Sequence, residues 1–299
     1  MYEGFTTLEE YKVTRIPKKS GGFRYIYEPK DDIKKQQKKH LLEVVYKHLP
    51  VSFFAQGFVR NRNIVTNAIP HVNKDYILKL DIKDFFPSTR WIMFVNTFYD
   101  IKQWKKDLEN IDINTFKIHF LYNRNTALEA FLPQGAPASP ALANFCMFPA
   151  DYTIVYYLLN LQENVDDFSD VDYTRYADDL TISWNGRKSI WKRIKEVVSR
   201  IIECYGYTLN HKKCKIIPKH RRQIVCGIVV NEKVSLPKEF RKKVRAIKHK
   251  LATGELDLSN KIRGILSFYS MVENYEKYPK FTISEYLRKK EIFELIKGV

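Results

Sequence analysis

The chain is short of the residues that build small or repetitive scaffolds. Its 299 residues include only four cysteines, Cys146, Cys204, Cys214 and Cys226, and no two form a CxxC pair. That spacing fits a reducing cytoplasm better than a disulfide framework or a zinc site. Eleven glycines and twelve prolines are too few for collagen-like or low-complexity architecture. No apolar run approaches the roughly 20 residues of a bilayer span, and Met1-Tyr2-Glu3-Gly4 lacks the basic-then-apolar start of a secretory leader. What is present is a core-forming composition, 44% hydrophobic and 14% aromatic, which excludes disorder. The expectation is a soluble, cytoplasmic globular protein with no membrane partner.

Charge is the next feature. The net formal charge is +17, and it is unevenly spread. Residues 75–186 carry 9 basic and 16 acidic side chains, whereas residues 187–250 carry 20 basic and 4 acidic ones. Residues 12–48 are also basic, with 11 against 4. A uniformly solvated lysine surface does not produce an acidic centre between basic flanks. The pattern points to a polyanionic partner, a nucleic acid gripped through its phosphates.

Apolar periodicity predicts amphipathic helices over 32–49 and 188–205. A strand is predicted over 76–86, ending in carboxylates, and a hairpin over 171–184 with Ala177-Asp178-Asp179 at its turn. Ser139 reads as the N-cap of a helix running towards Leu159, with a kink at Pro149. Short strands are predicted around Cys214–Ile217 and Ile224–Val230, and helices beyond Pro237, around 259–273 and over 283–297. The fold class is α+β with a basic helical end.

Asp81 lies at a strand end, and Asp178 and Asp179 lie at a hairpin turn 97 residues later. Either feature alone is an ordinary turn. Three carboxylates converging from neighbouring strands need cations between them. Two Mg²⁺ ions suit such oxygen ligands and leave room for a triphosphate, which suggests a two-metal phosphoryl or nucleotidyl transferase.

The local motifs are more specific. Ile16-Pro17-Lys18-Lys19-Ser20-Gly21-Gly22-Phe23-Arg24-Tyr25-Ile26 resembles the first fingers motif of reverse transcriptases, and Ala55-Gln56-Gly57-Phe58 with Ile64 resembles the second. Leu80-Asp81-Ile82-Lys83-Asp84-Phe85-Phe86-Pro87-Ser88 is similar to palm motif A, and the run Leu132 to Pro140 to motif B. Tyr176-Ala177-Asp178-Asp179 is similar to motif C, Gly206-Tyr207-Thr208-Leu209-Asn210 with Lys213 to motif D, and Val225 to Asn231 to the final palm motif. Two signatures resemble the retron branch. They are Asn67-Ala68-Ile69-Pro70-His71 and, with Cys in place of the family's Thr, Val225-Cys226-Gly227. The 63 residues from Pro237 onward suffice for a small helical thumb but not for a ribonuclease H domain, a zinc-bearing endonuclease or the further RNA-binding segment of a maturase.

This resemblance implies a right-hand polymerase, with fingers and palm over 1–235 and a helical thumb over 236–299. It implies that Asp81, Asp178 and Asp179 are catalytic and hold two Mg²⁺ ions, with the Ile82 carbonyl as a further ligand. Phe86 falls at the steric gate under the sugar. Gln134 and Gly135 would line the incoming nucleotide, Arg24 and Lys18 would hold its triphosphate, and Lys213 would sit near the leaving pyrophosphate. Asn67, His71, Val225, Cys226 and Gly227 would recognise RNA. The implied partners are a structured non-coding RNA as template and primer, the RNA–DNA duplex product, dNTPs and a separate effector protein in anti-phage defence. Two other readings stay open on sequence: a group II-intron-like or other defence-associated reverse transcriptase without a retron RNA, and a catalytically silent RNA-binding scaffold.

Overall fold

The computed structural model describes residues 4–18, 21–122 and 127–289. In chain order its elements are β1 (Tyr11–Pro17), β2 (Phe23–Pro29), α1 (Asp31–His40), α2 (Tyr46–His48), α3 (Ile64–Ala68), β3 (Tyr76–Asp81), α4 (Phe85–Ser88), α5 (Trp91–Lys102), α6 (Ser139–Cys146), α7 (Phe148–Asn164), β4 (Phe168–Tyr176), β5 (Asp179–Gly186), α8 (Trp191–Cys204), β6 (Lys215–Pro218), β7 (Ile224–Val225), β8 (Ile228–Val229), α9 (Lys238–Ala252), α10 (Asn260–Glu273) and α11 (Ile283–Arg288). Met1–Glu3, Lys19 and Ser20 of the first fingers motif, and residues 290–297 of the last predicted helix lie outside the described residues. Helices beside antiparallel sheets make the chain α+β, as its patterning predicts. Among the described residues no helix is long and apolar enough to cross a membrane.

Two compact units are woven from alternating stretches of chain. The first takes residues up to Ser52, Ile82–Ile154 and Glu196–Asn210. Its β1–β2 hairpin is antiparallel, from Tyr11 opposite Pro29 to Pro17 opposite Phe23. The predicted helix over 32–49 is present, but it is interrupted by a π-helical turn at Leu41–Val45 between α1 and α2. An aromatic core fills this unit. Trp91 stacks on Phe94 at 5.4 Å, and Phe94 lies 4.8 Å from Phe116 and 5.4 Å from Phe145. Such buried rings supply most of the apolar area that a domain removes from water.

Two expectations for the run from Ser139 are corrected. Ala138, not Ser139, is the N-cap of α6. The Ser139 hydroxyl instead donates to the Pro133 carbonyl at 2.7 Å, tying the preceding loop to the first turn. Pro149 does not kink one helix. The chain breaks at Met147, and Pro149 falls in the first turn of α7, where its missing N–H costs nothing.

The second unit takes Phe53–Asp81, Val155–Lys195 and the chain from His211 onward. Its centre is a four-stranded antiparallel sheet in the order β4-β5-β3-β6. Alternation along β3 sends Leu78 and Leu80 to one face, with Leu180 and Ile182 opposite them on β5. The other face carries Ile77, Lys79 and Asp81, opposite Ser183, Thr181 and Asp179. A second apolar cluster, including Val65, Ile69, Ile77, Val225, Ile228 and Val272, covers part of that polar face.

Helix α11 is tied to β4 by charge. Asp172 accepts the Ile283 amide at 2.8 Å and an ammonium hydrogen bond from the buried Lys74 at 2.9 Å. Burial outweighs the lysine and pushes the Asp172 carboxyl up to about 6. The folded chain therefore holds this proton more tightly than the unfolded chain, so the group favours folding increasingly as pH falls from 6 towards its unfolded value. Carbon-13 NMR should find the Asp172 carboxyl titrating near 6 rather than near the ordinary 4. A midpoint near the ordinary value would mean that water reaches the pair.

Candidate active site

The acidic cluster forms because of strand register. Asp81, the last residue of β3, stands directly opposite Asp179, the first residue of β5. Directly opposed residues put their Cβ atoms about 5 Å apart, and like charges there repel. Asp178 is the second residue of the two-residue turn between β4 and β5. Its predecessor Ala177 has a φ of +56°, a left-handed conformation disfavoured for any residue with a Cβ. All three aspartates and Lys213 belong to the second unit.

The electrostatics follow from that placement. Burial pushes the Asp178 carboxyl up, and the charges of Asp179 and Asp81 add to the effect. Burial likewise raises Asp179, with Lys79 opposing and Asp81 reinforcing the shift. Lys213 relieves part of the strain by donating to Asp81 Oδ2 at 2.8 Å. The Asp81 side chain is only 8% exposed while that of Lys213 is 54% exposed, so the ammonium reaches in from solvent. Its own hydrogen bond to Asp81 raises its proton affinity.

A divalent cation would answer the same demand. The donors are hard carboxylate oxygens of the kind that Mg²⁺ prefers, and an ammonium already stands in as a cation on one of them. Among the described residues no three carboxylate, imidazole or thiolate groups are gathered into a finished cage. The fit is one of donor chemistry and charge.

The remaining candidates fall into two groups. In the first unit, the amide of Tyr27 on β2 donates to the Gln134 carbonyl at 2.8 Å. Gly135 has a φ of +116°, and a Cβ there would come within 2.9 Å of the Tyr27 carbonyl, so only glycine lets the loop lie this close to the hairpin. Lys18 pairs with Asp84 at 3.0 Å, and Arg24 is exposed on β2. Phe85 is buried against Tyr207 at 5.7 Å, whereas Phe86 is half-buried. Lys83 donates its amide to the Thr208 carbonyl at 2.8 Å, which joins the stretch after β3 to the Gly206–Asn210 motif.

The second group differs from expectation. Asn67, His71 and Val225 are buried and offer no surface to an RNA. Their side chains are used internally. His71 Nδ1 lies 2.7 Å from the Ser183 hydroxyl and Nε2 lies 2.8 Å from the Thr174 hydroxyl, spanning β5 and β4. The Asn67 amide donates to Cys226 Sγ at 3.3 Å. Cys226 is half-exposed in the turn between β7 and β8, where burial and the charge of Asp179 push its thiol up to about 12. Of the five, only Gly227 is exposed.

Two residues escaped the sequence reading. Lys79 sits two places before Asp81 on the same strand face, and its charge bears on Asp179, His71 and Cys226. Arg175 is wholly buried just before the turn that carries the acids. Strand alternation flagged both positions: Lys79 by sharing a face with Asp81, Arg175 by being a charge among inward-facing apolar residues.

Comparison with known proteins decides the family. The profile described as reverse transcriptase (RNA-dependent DNA polymerase) matches residues 16–230. The chain belongs to the reverse transcriptases. Within them it belongs to the retron enzymes. It is 30% identical to the retron Ec86 reverse transcriptase of Escherichia coli over 289 residues, covering 96% of this chain and 84% of that one. It is also 30% identical to the retron Mx65 reverse transcriptase of Myxococcus xanthus, covering 89% of this chain but only 62% of its relative's length. Among solved structures, a Candida albicans telomerase in complex with a telomeric RNA fragment superposes with a TM-score of 0.49 at 13% identity, covering 79% of this chain and 46% of that chain. In this retron reverse transcriptase the opposed aspartates of β3 and β5 both lie within the matched range.

Proposed function

We propose that the chain is a retron RNA-directed DNA polymerase that copies a structured non-coding RNA into single-stranded DNA covalently linked to that RNA. The single observation that carries this reading is the register that sets Asp81 opposite Asp179, with Asp178 on the adjoining turn. Asp81, Asp178, Asp179 and the Ile82 carbonyl would hold two Mg²⁺ ions. Bound there, the pair would activate a hydroxyl nucleophile and stabilise the leaving pyrophosphate.

The protein's own groups divide the remaining work. Arg24 and Lys18 hold the triphosphate of the incoming dNTP, with Lys18 exchanging Asp84 for phosphate. Gln134 and Gly135 line the nucleotide, and the ring of Phe86 excludes a ribose 2′-hydroxyl. Lys213 neutralises the leaving pyrophosphate after parting from Asp81. Cys226 and Gly227 face the nucleic acid, while Asn67, His71 and Val225 support them from inside. The basic strip over 187–250 grips the backbone of the RNA–DNA duplex without reading sequence. Fingers and palm over 1–235 and a thumb over 236–299 are the functional division we adopt, and defence against phage with a separate effector protein is the biological setting.

Purified protein should carry a defined hairpin RNA. With dNTPs and Mg²⁺ it should extend that RNA into DNA that keeps a ribonucleotide branch after ribonuclease digestion. DNA without covalently attached RNA would favour the intron-like reading, and no dNTP incorporation would favour the silent scaffold.

A further inference from the structure

The turn that carries Asp178 and Asp179 is held in a conformation it would not choose alone. Ala177 is left-handed at φ +56° with an ordinary side chain, and it immediately precedes both acids. Three contacts surround it. The guanidinium of the buried Arg175 donates from Nη1 to the Ala177 carbonyl at 3.2 Å. The backbone of Arg175 is clamped by the segment before Gly57, its amide donating to the Phe54 carbonyl at 2.9 Å and its carbonyl accepting from the Gln56 amide at 2.7 Å. Gly57 then lies under the turn. A Cβ on it would come within 2.7 Å of the Ala177 nitrogen and 3.1 Å of the Tyr176 carbonyl carbon.

The Arg175 side chain reaches the turn from the sheet face opposite that of the Asp179 side chain, while Gly57 packs against the turn backbone itself. Arg175 is paired with Leu180 on the apolar sheet face, whereas Asp179 pairs with Tyr176 and Asp81 on the other. A fully buried guanidinium is expensive unless it serves a fixed set of acceptors. A lysine would offer one flexible ammonium where the planar fork offers several donors in fixed directions. We infer that Arg175 and Gly57 are positioning residues, which brace the strained Ala177 turn so that Asp178 and Asp179 are presented in one geometry. The inference rests on reading Asp178 and Asp179 as catalytic.

A brace and a general stabiliser differ in what repairs their loss. If Arg175 acts by holding Ala177 left-handed, making that conformation free of steric cost should substitute in part for the arginine. Primer extension by the full chain is therefore measured for Arg175→Met, Arg175→Lys, Gly57→Ala and the double variant Arg175→Met with Ala177→Gly, each with its thermal midpoint. Displacement of a reacting group by about 1 Å costs on the order of 10²-fold in rate. Arg175→Met and Gly57→Ala should lower kcat on that scale with KM for dNTP little changed, and Arg175→Lys should fall between. The added Ala177→Gly should recover at least several-fold of the kcat lost in Arg175→Met without raising its thermal midpoint to the wild-type value.

Wild-type kcat in Arg175→Met, or recovery that tracks the thermal midpoint alone, would overturn the brace. If Arg175→Met does not fold, Gly57→Ala carries the test on the same criteria. Asp178→Asn serves as the control for the underlying reading: full activity there removes the catalytic assignment itself, whereas an inactive Asp178→Asn beside a fully active Arg175→Met removes only the brace.

Discussion

Replacing Asp178 or Asp179 by asparagine should abolish DNA synthesis and, in metal-free buffer, make the protein more stable. The activity loss is expected at about 10³-fold or more, the scale on which removal of a preorganised electrostatic partner of the transition state registers. The gain in stability follows from the raised proton affinities. Both carboxyls are pushed up, first by burial and then by neighbouring acids, so their ionised forms are disfavoured in the folded state. The sign is the reverse of the usual surface carboxylate. The cost of ionisation is absent below the unfolded pKa, grows as pH rises from there towards the folded values and is complete above them.

Asparagine keeps the shape and removes the charge, and with it the cost. Asp81→Asn should behave differently, because it removes the negative charge with which the Lys213 ammonium is paired. Mg²⁺ supplies the second arm. Binding to the folded state alone stabilises by about 2.7 kcal/mol at a hundred-fold excess over Kd. Added Mg²⁺ should raise the wild-type melting temperature and leave that of Asp178→Asn and Asp179→Asn nearly unmoved. Equal melting temperatures with and without Mg²⁺ in the wild type would sink the metal assignment. Undiminished synthesis by either asparagine variant would remove these acids from the chemistry.

How far these properties can be read from residue order depends on whether they are local. The hairpin around Ala177-Asp178-Asp179 was legible because alternation and turn-forming acids are local signals, and β4, β5 and their two-residue turn follow that pattern. The end of β3 was not. Apolar residues recur along 76–86 as far as Phe86, but the strand stops at Asp81, and Asp84 turns left-handed at φ +45° before α4. Nothing local marks that stop, since a left-handed aspartate is selected by its surroundings. The pairing of Asp81 with Asp179 is a matter of register between strands almost a hundred residues apart, which motif resemblance implied and local periodicity could not.

The retron signatures show the opposite limit. The motif resemblance implied contact with RNA, yet burial is a three-dimensional property. Asn67 and His71 sit on a short helix and turn that fold under the sheet, and Val225 belongs to an apolar cluster. A polar residue type near a functional site serves equally well as an internal bracket.

Exchanging His71 for glutamine should leave the protein folded and RNA-binding at neutral pH while flattening its acid denaturation. His71 is wholly buried, and burial, with Lys74 and Lys79 adding to it, holds its imidazole down to about 3. It is therefore neutral, and its neighbours assign the tautomer. Thr174 spends its own proton on the Asn67 carbonyl at 3.3 Å, so it accepts from His71 Nε2–H, and Nδ1 accepts from Ser183. Glutamine can reproduce one donor and one acceptor, but it cannot take up a proton. Because the folded pKa is depressed, this histidine's contribution to stability is complete above its unfolded value of about 6.5. It is lost as pH falls towards 3, by a factor of ten in the folding equilibrium per pH unit. His119, held down to about 3 in the first unit, adds a second such proton that His71→Gln leaves in place. Urea titrations between pH 6 and pH 4 should thus show the stability of His71→Gln falling less steeply than wild type by close to one proton. His71→Leu, which strips a partner from two buried hydroxyls, should cost roughly 2–4 kcal/mol at neutral pH, a cost that shrinks as pH falls because leucine takes up no proton either. An unchanged pH slope in His71→Gln would show that the imidazole titrates in the folded state. Selective loss of RNA affinity at unchanged stability would return His71 to the RNA-reading role that its motif first suggested.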